Sequence, residues 1–248
     1  MRVLIAQTDV KLGDKESNLA NALEIVEGHD ADLFLFPELF TTGFDYEHIR
    51  ELAEELPGET VAAISSICGD SLVGGSILER YRDKIYNTFI LVSREGLVGS
   101  YRKMHPFGEE KEYLGKGKSV EVAGTAMGNL GLAVCYDVRF PEQFRELMQR
   151  GAEVVLVSAE FPLPRQEHWE VLLRARAIEN QFFILAANRI GRDDKSEYFG
   201  GSLALTPWGD VLARGGIEEE MITVEIDVAE VKKIREKFPV LRDADIQP

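Results

Sequence analysis

A cysteine, a lysine and a glutamate each stand at the end of an apolar run in this sequence, and strand ends are where folds present reactive groups. Cys135 closes Leu-Gly-Leu-Ala-Val and is followed by Tyr-Asp-Val-Arg-Phe-Pro-Glu, so a lone thiol sits where a buried strand turns into a helix. Asp-Leu-Phe-Leu-Phe-Pro runs into Glu38, and Gly-Leu-Val-Gly-Ser-Tyr-Arg into Lys103. A thiol attacks a carbonyl or nitrile carbon well only as thiolate, and an unperturbed cysteine is mostly protonated near neutral pH. A base must take that proton. No histidine adjoins Cys135 in the chain, whereas Glu38, at the end of a buried strand, is expected to be partly desolvated and so driven toward the pKa of a working general base. Lys103 would then stabilise the thiolate and the oxyanion that follows, with the backbone N–H of Tyr136 as a second donor. Taken singly, each residue also has a plain structural reading, since free cysteines are among the most buried side chains and Lys103 sits in a charged Tyr-Arg-Lys run.

The elements that must position these residues can be read from hydrophobic periodicity. Strands are expected at Val3–Ala6, Leu33–Phe36, Leu72–Leu78, Thr88–Ser93, Gly96–Tyr101, Val120–Val122 and Leu130–Val134. Later ones fall at Val154–Ser158, Phe182–Ala187, Ser202–Thr206, Val211–Ala213 and Ile222–Ile226. Helices are expected at Glu16–Glu27, Glu59–Cys68, Pro141–Arg150, Gln166–Gln181 and Ala229–Lys237, the fourth with Trp169, Leu172, Leu173 and Ile178 on its apolar side. Pro141 suits a first helical turn and Gly151 a helix stop. Leu33–Phe36 is apolar at every position, as in a sheet covered on both faces. Early alternation of helix and strand, then strand-rich stretches at 71–101 and beyond 200, predict an α/β fold with a mixed sheet, or two stacked sheets with helices outside. The chain shows no repeat and no Pro-, Gly- or Ser-rich linker, so one domain over 1–248 is expected.

Composition narrows the function. A net charge of −15 opposes nucleic-acid or anionic-membrane surfaces, which need clustered Lys and Arg. Small-molecule substrates are expected instead. Two cysteines make no disulfide framework in a chain of 248 residues, which points to a reducing, cytoplasmic setting, and neither has a partner at Cys-X-X-Cys spacing, which disfavours a redox thiol protein. His29, His48, His105 and His168 lack ligand spacing, so no metal is expected, and no cofactor is called for.

The segments resemble the nitrilase superfamily of carbon-nitrogen hydrolases. The resemblance lies in Phe-Pro-Glu38, Tyr-Arg-Lys103-Met-His and Cys135-Tyr-Asp-Val-Arg-Phe-Pro-Glu, in the family's order. It extends to Arg174-Ala-Arg-Ala-Ile-Glu-Asn-Gln, Asn188-Arg-Ile-Gly, Gly201-Ser-Leu and Pro207-Trp-Gly-Asp, nearly the whole chain. It implies a four-layer α-β-β-α sandwich, a homodimer or higher homo-oligomer, and a Glu-Lys-Cys site made of Glu38, Lys103 and Cys135. It also implies a second glutamate that positions the substrate amide; Glu110 stands at the matching place, with Glu109 beside it. The implied reaction is hydrolysis of a small amide through a cysteine thioester, releasing ammonia and a carboxylate. His168-Trp-Glu-Val-Leu-Leu and the tail Ile234-Arg-Glu-Lys-Phe-Pro resemble the omega-amidase branch, with N-carbamoyl hydrolase and nitrilase as alternatives. A non-catalytic binding relative is the reading from a different class. For an anionic substrate, Arg139 and Arg165 are the candidate binding cations.

Overall fold

Strands with apolar residues on both faces need cover on both sides, and the architecture supplies it. The computed structural model describes residues 1–245; the expected domain end at 248 lies outside the described residues. The first half runs β1 (Arg2–Gln7), α1 (Lys15–Gly28), β2 (Leu33–Leu35), α2 (Ile49–Leu52), α3 (Glu59–Ile67), β3 (Leu72–Tyr81), β4 (Lys84–Ser93) and β5 (Gly96–Arg102). Then follow α4 (Glu110–Tyr113), β6 (Glu121–Thr125), β7 (Gly128–Val134), a 3-10 turn (Cys135–Arg139), α5 (Pro141–Gln149), β8 (Val154–Ala159) and α6 (Gln166–Asn180). The chain finishes with β9 (Phe183–Asn188), β10 (Ile190–Arg192), β11 (Glu197–Phe199), β12 (Leu203–Leu205), β13 (Val211–Arg214), β14 (Glu220–Glu225), α7 (Ala229–Lys237) and α8 (Val240–Asp243).

Two six-stranded mixed sheets result, ordered β14-β1-β2-β3-β4-β5 and β13-β12-β9-β8-β7-β6. Side chains alternate faces along a strand, which splits the apolar residues between two layers. Val3, Ile5, Leu33 and Leu35 pack toward the second sheet, into a core shared with Leu132, Val134, Leu156 and Leu185. Leu4, Ala6, Phe34 and Phe36 face the other way, onto Ile25 and Val26 of α1 and Val61 and Ile64 of α3. On the far side, Phe144 and Leu147 of α5 with Trp169, Leu173 and Ala177 of α6 cover the second sheet. The order is thus helix, sheet, sheet, helix, as the sequence led us to expect.

Boundaries follow local chemistry. Helix α5 opens on Pro141 and ends in a Schellman arrangement: Gly151 takes φ 89°, its N–H donates to the Met148 carbonyl, and the Ala152 N–H donates to the Leu147 carbonyl. The left-handed conformation suits a residue without Cβ. One expectation for α6 is corrected: Ile178 is 51% exposed, and Arg176 and Asn180 join Trp169, Leu173 and Ala177 on the buried side. At 100° per residue, Ile178 lies opposite Trp169. The β10–β11 hairpin and the single turns α2, α4 and α8 had no periodic signal, because three or four residues are too few to show one.

The sheets also fix where strand ends point. β2 is parallel to β3, and β3, β4 and β5 are successively antiparallel, so β2 and β5 end at the same edge. In the second sheet β7, β8 and β9 run parallel. Among the described residues no helix is long and apolar enough to cross a membrane.

Candidate active site

The residues that follow β2, β5 and β7 meet where the two sheets face each other. Glu38 lies three residues beyond β2, Lys103 one beyond β5, and Cys135 opens the 3-10 turn after β7. Lys103 Nζ donates to Glu38 Oε1 and to Glu110 Oε1, each at 2.7 Å, with the Lys103 and Glu38 side chains both 1% exposed. An ammonium has three N–H donors, so one is left to point elsewhere. Cys135 lines the same cavity as Glu38, close enough for the charges of Glu38 and Lys103 both to act on its thiol. Glu110, on the single turn α4, is buried, and among the described residues its Oε2 has no partner. Its neighbour Glu109 turns outward to Lys195 instead, at 2.6 Å.

Cys135 takes φ 44°, a left-handed conformation costly for a residue with a Cβ. That turn lifts the thiol off the strand axis. It is braced from below by Asp137, whose Oδ2 accepts from the Val134 N–H at 2.9 Å and from the Tyr101 hydroxyl at 2.8 Å. Asp137 Oδ1 bonds His105 Nδ1 at 2.8 Å, and the His105 ring stacks on Phe140. The brace ties the cysteine turn to the segment that carries Lys103.

Electrostatics follow from burial. Burial would pull the Lys103 ammonium down, but Glu110, Glu38 and the Cys135 sulfur outweigh it and hold it well above its ordinary value. Burial, then Glu38, push the Cys135 thiol well up, with Lys103 opposing. The resting site therefore favours the thiol form of Cys135. Burial raises Glu110 to about 7, Lys103 opposing and Glu38 adding to it.

Above these groups opens a cavity of about 370 Å³, lined by Glu38, Glu110, Cys135, Tyr136, Arg139, Phe161 and Arg165, among others. Arg139 rests against the Tyr136 and Phe161 rings, and Arg165 against Phe107. The Tyr136 N–H belongs to the first turn of the 3-10 segment, where amides have no intrahelical acceptor. Every candidate side chain from the sequence thus reaches this cavity except Lys103, which lies beneath it. Among the described residues no group of three or more His, Cys, Asp or Glu side chains is placed to hold a metal ion.

Two neighbours were not singled out from sequence. Asn87, on β4, donates Nδ2 to Glu38 Oε1 at 2.7 Å. The Glu160 backbone N–H donates to Glu38 Oε2 at 3.0 Å, and the Glu160 side chain pairs with Arg189 at 3.1 Å. Glu160 follows a buried apolar strand as Glu38 does, so the same strand-end argument could have found it. Asn87 sits inside a strand and carried no local signal.

The chain matches the carbon-nitrogen hydrolase family model over residues 2–236. It is 39% identical to the 2-oxoglutaramate amidase of Bacillus subtilis (strain 168), covering 96% of this chain and 95% of that protein. It is 34% identical to the omega-amidase NIT2 of Homo sapiens, over 92% and 89% of the two chains. Among solved structures, Saccharomyces cerevisiae Nit3, a member of branch 10 of the nitrilase superfamily, superposes with a TM-score of 0.89 at 27% identity, covering 96% of this chain and 94% of that one.

Proposed function

The chain belongs to the carbon-nitrogen hydrolase family, and from that premise we propose that it is an omega-amidase-like enzyme that removes the terminal amide of a small anionic substrate. The observation that carries this reading is the convergence of Glu38, Lys103, Glu110 and Cys135 at the floor of one cavity.

In the proposed reaction Glu38 takes the Cys135 proton, and the sulfur attacks the amide carbon. The oxyanion is held by the remaining Lys103 N–H and the Tyr136 N–H. Glu110 Oε2, which has no partner among the described residues, accepts from the substrate amide nitrogen and fixes its orientation. As the tetrahedral intermediate collapses, Glu38 returns its proton to the leaving nitrogen and ammonia departs. A water, deprotonated by Glu38, then attacks the thioester, and the carboxylate leaves as the thiol is restored. The acid end of the substrate is assigned to Arg139 and Arg165, which lie over aromatic rings at the cavity wall and carry guanidinium groups. Such groups suit bidentate carboxylate recognition.

Support for the substrate class comes from the two amidase relatives, one acting by its name on 2-oxoglutaramate. The decisive assay is ammonia release from 2-oxoglutaramate, succinamate, short aliphatic amides, N-carbamoyl amino acids and nitriles. Fastest turnover of the first two is expected; activity confined to nitriles would overturn the reading. Cys135→Ala should lose essentially all turnover with the fold retained, and substantial residual ammonia release would remove Cys135 as nucleophile.

A single domain and a homodimer belong to the same proposal. An exposed apolar patch formed by Ile178, Trp208 and Phe238 supports a second copy as partner: the Trp208 and Phe238 rings meet at a tilt, their centroids 5.7 Å apart, and Ile178 lies against Gly209. A cytoplasmic location is proposed on the two free cysteines, Cys68 and Cys135.

A further inference from the structure

One acidic side chain beside the base has no part in the reaction just described. Glu160 lies at the cavity wall yet is only 4% exposed. Its Oε2 accepts from Arg189 Nη1, and its Oε1 is buried with no partner among the described residues. Its backbone N–H is a donor to Glu38 Oε2, while the two bonds from Asn87 and Lys103 both fall on Oε1. Arg189 is itself immobilised: Nη2 donates to the Val10 carbonyl at 2.6 Å, Nε to Asp9 Oδ1 at 3.1 Å, and its own N–H to the Ala159 carbonyl at 2.9 Å. A continuous set of contacts therefore runs from the end of β1 through Arg189 and Glu160 to the carboxylate of Glu38.

We infer that Glu160 is a positioning residue, acting as an uncharged acid: anchored on Arg189, it fixes the peptide N–H that aims Glu38 at Cys135. The inference rests on the reading of Glu38 as base. A charge count around the residue favours the uncharged form. Among the described residues Glu160 faces Glu38 from the β2 end, Asp193 and Tyr198 from the β10–β11 hairpin, and Arg189 as its one cation, which already meets Asp9. Burial, together with Glu38 and Asp193, pushes Glu160 up to about 8 against the pull of Arg189. Below that pH the residue holds its proton, so an ionised carboxylate with one orphan oxygen, a costly buried species, is avoided.

The test uses iodoacetamide alkylation of Cys135, followed by mass spectrometry from pH 6 to 10, which needs no identified substrate. Glu160→Ala removes the anchor and should slow alkylation on the order of tenfold, the size of effect expected of a misplaced catalytic group. Glu160→Gln keeps the shape of the protonated acid and an acceptor for Arg189, so it should hold the rate within about threefold at pH 7. Its pH profile should coincide with the wild type below pH 7 and separate through about pH 8, where only the wild type gains a charge. An unchanged Glu160→Ala rate, a Glu160→Gln rate as slow as Glu160→Ala, or superposed profiles over the whole range would each overturn the inference. Should Glu160→Ala not fold, the near-isosteric Glu160→Gln profile decides alone. Glu38→Gln serves as the separate control. If it alkylates like the wild type, the reading of Glu38 as base fails; if it is slow while Glu160→Ala is normal, only the present inference fails.

Discussion

At the scale of single residues, the chemistry depends on charges that water would otherwise screen. Glu38, Glu110 and Glu160 are buried around Lys103 and Arg189, and such sets persist only when each charge is paired, hydrogen-bonded or neutralised by a proton. The pH dependence of stability follows. Glu110 and Glu160 have folded values of about 7 and about 8 against 4.5 for an ordinary glutamate. Between those limits the folded state binds more protons than the unfolded chain, so stability falls as pH rises. The contribution is fully present below about 4.5 and lost as pH passes through the folded values. Glu160→Gln cannot ionise and escapes its share of that loss. Urea midpoints at pH 5, 7 and 9 should therefore shift in favour of Glu160→Gln as pH rises, and a constant offset between the two proteins would contradict a raised Glu160.

At the scale of elements, the site is assembled by strand ends from both sheets, so the seam between sheets must be held in register. Ser158, at the end of β8, accepts the Ser76 N–H at 3.1 Å and donates its hydroxyl to the Phe36 carbonyl at 3.0 Å. Two residues on, the Glu160 N–H reaches Glu38. The stretch Ser158–Glu160 thus straps the β2 end across the seam at two points. Ser158→Ala leaves a buried N–H and a buried carbonyl without that partner and should cost about 1–3 kcal/mol. Chemical denaturation would read this loss, and wild-type stability in the variant would show that the strap contributes nothing. The brace of Asp137, Tyr101 and His105 does the equivalent for the cysteine turn, joining β5 to the end of β7.

At the scale of the whole molecule, the layers among the described residues bury two large apolar cores and a smaller one around Leu39, Leu78 and Ile85, and leave an apolar patch around Ile178, Trp208 and Phe238 on the surface. Apolar side chains clustered this way on a charged surface mark an association site. Sedimentation of the wild type at micromolar concentration should show a dimer, and Ile178→Asp should shift it toward monomer, because a desolvated carboxylate cannot be paired at a symmetric contact. A wild-type monomer at that concentration would remove the dimer from the proposal.

The sequence by itself determined most of the element order and three strand-end residues of the candidate site, because periodicity and strand-end position are local properties that neighbours in the chain reveal. It carried the choice of Glu110 only through likeness to a family, with Glu109 an equal neighbour by position. Tertiary structure decided the rest. Glu110 meets Lys103 while Glu109 faces Lys195; Asn87 and Glu160 reach Glu38 from 49 and 122 residues away; and Ile178 lies outside the core that its residue type suggested. Which side chain meets which depends on how two sheets stack and where their strands end, and no stretch of chain short enough to read for periodicity contains that distance.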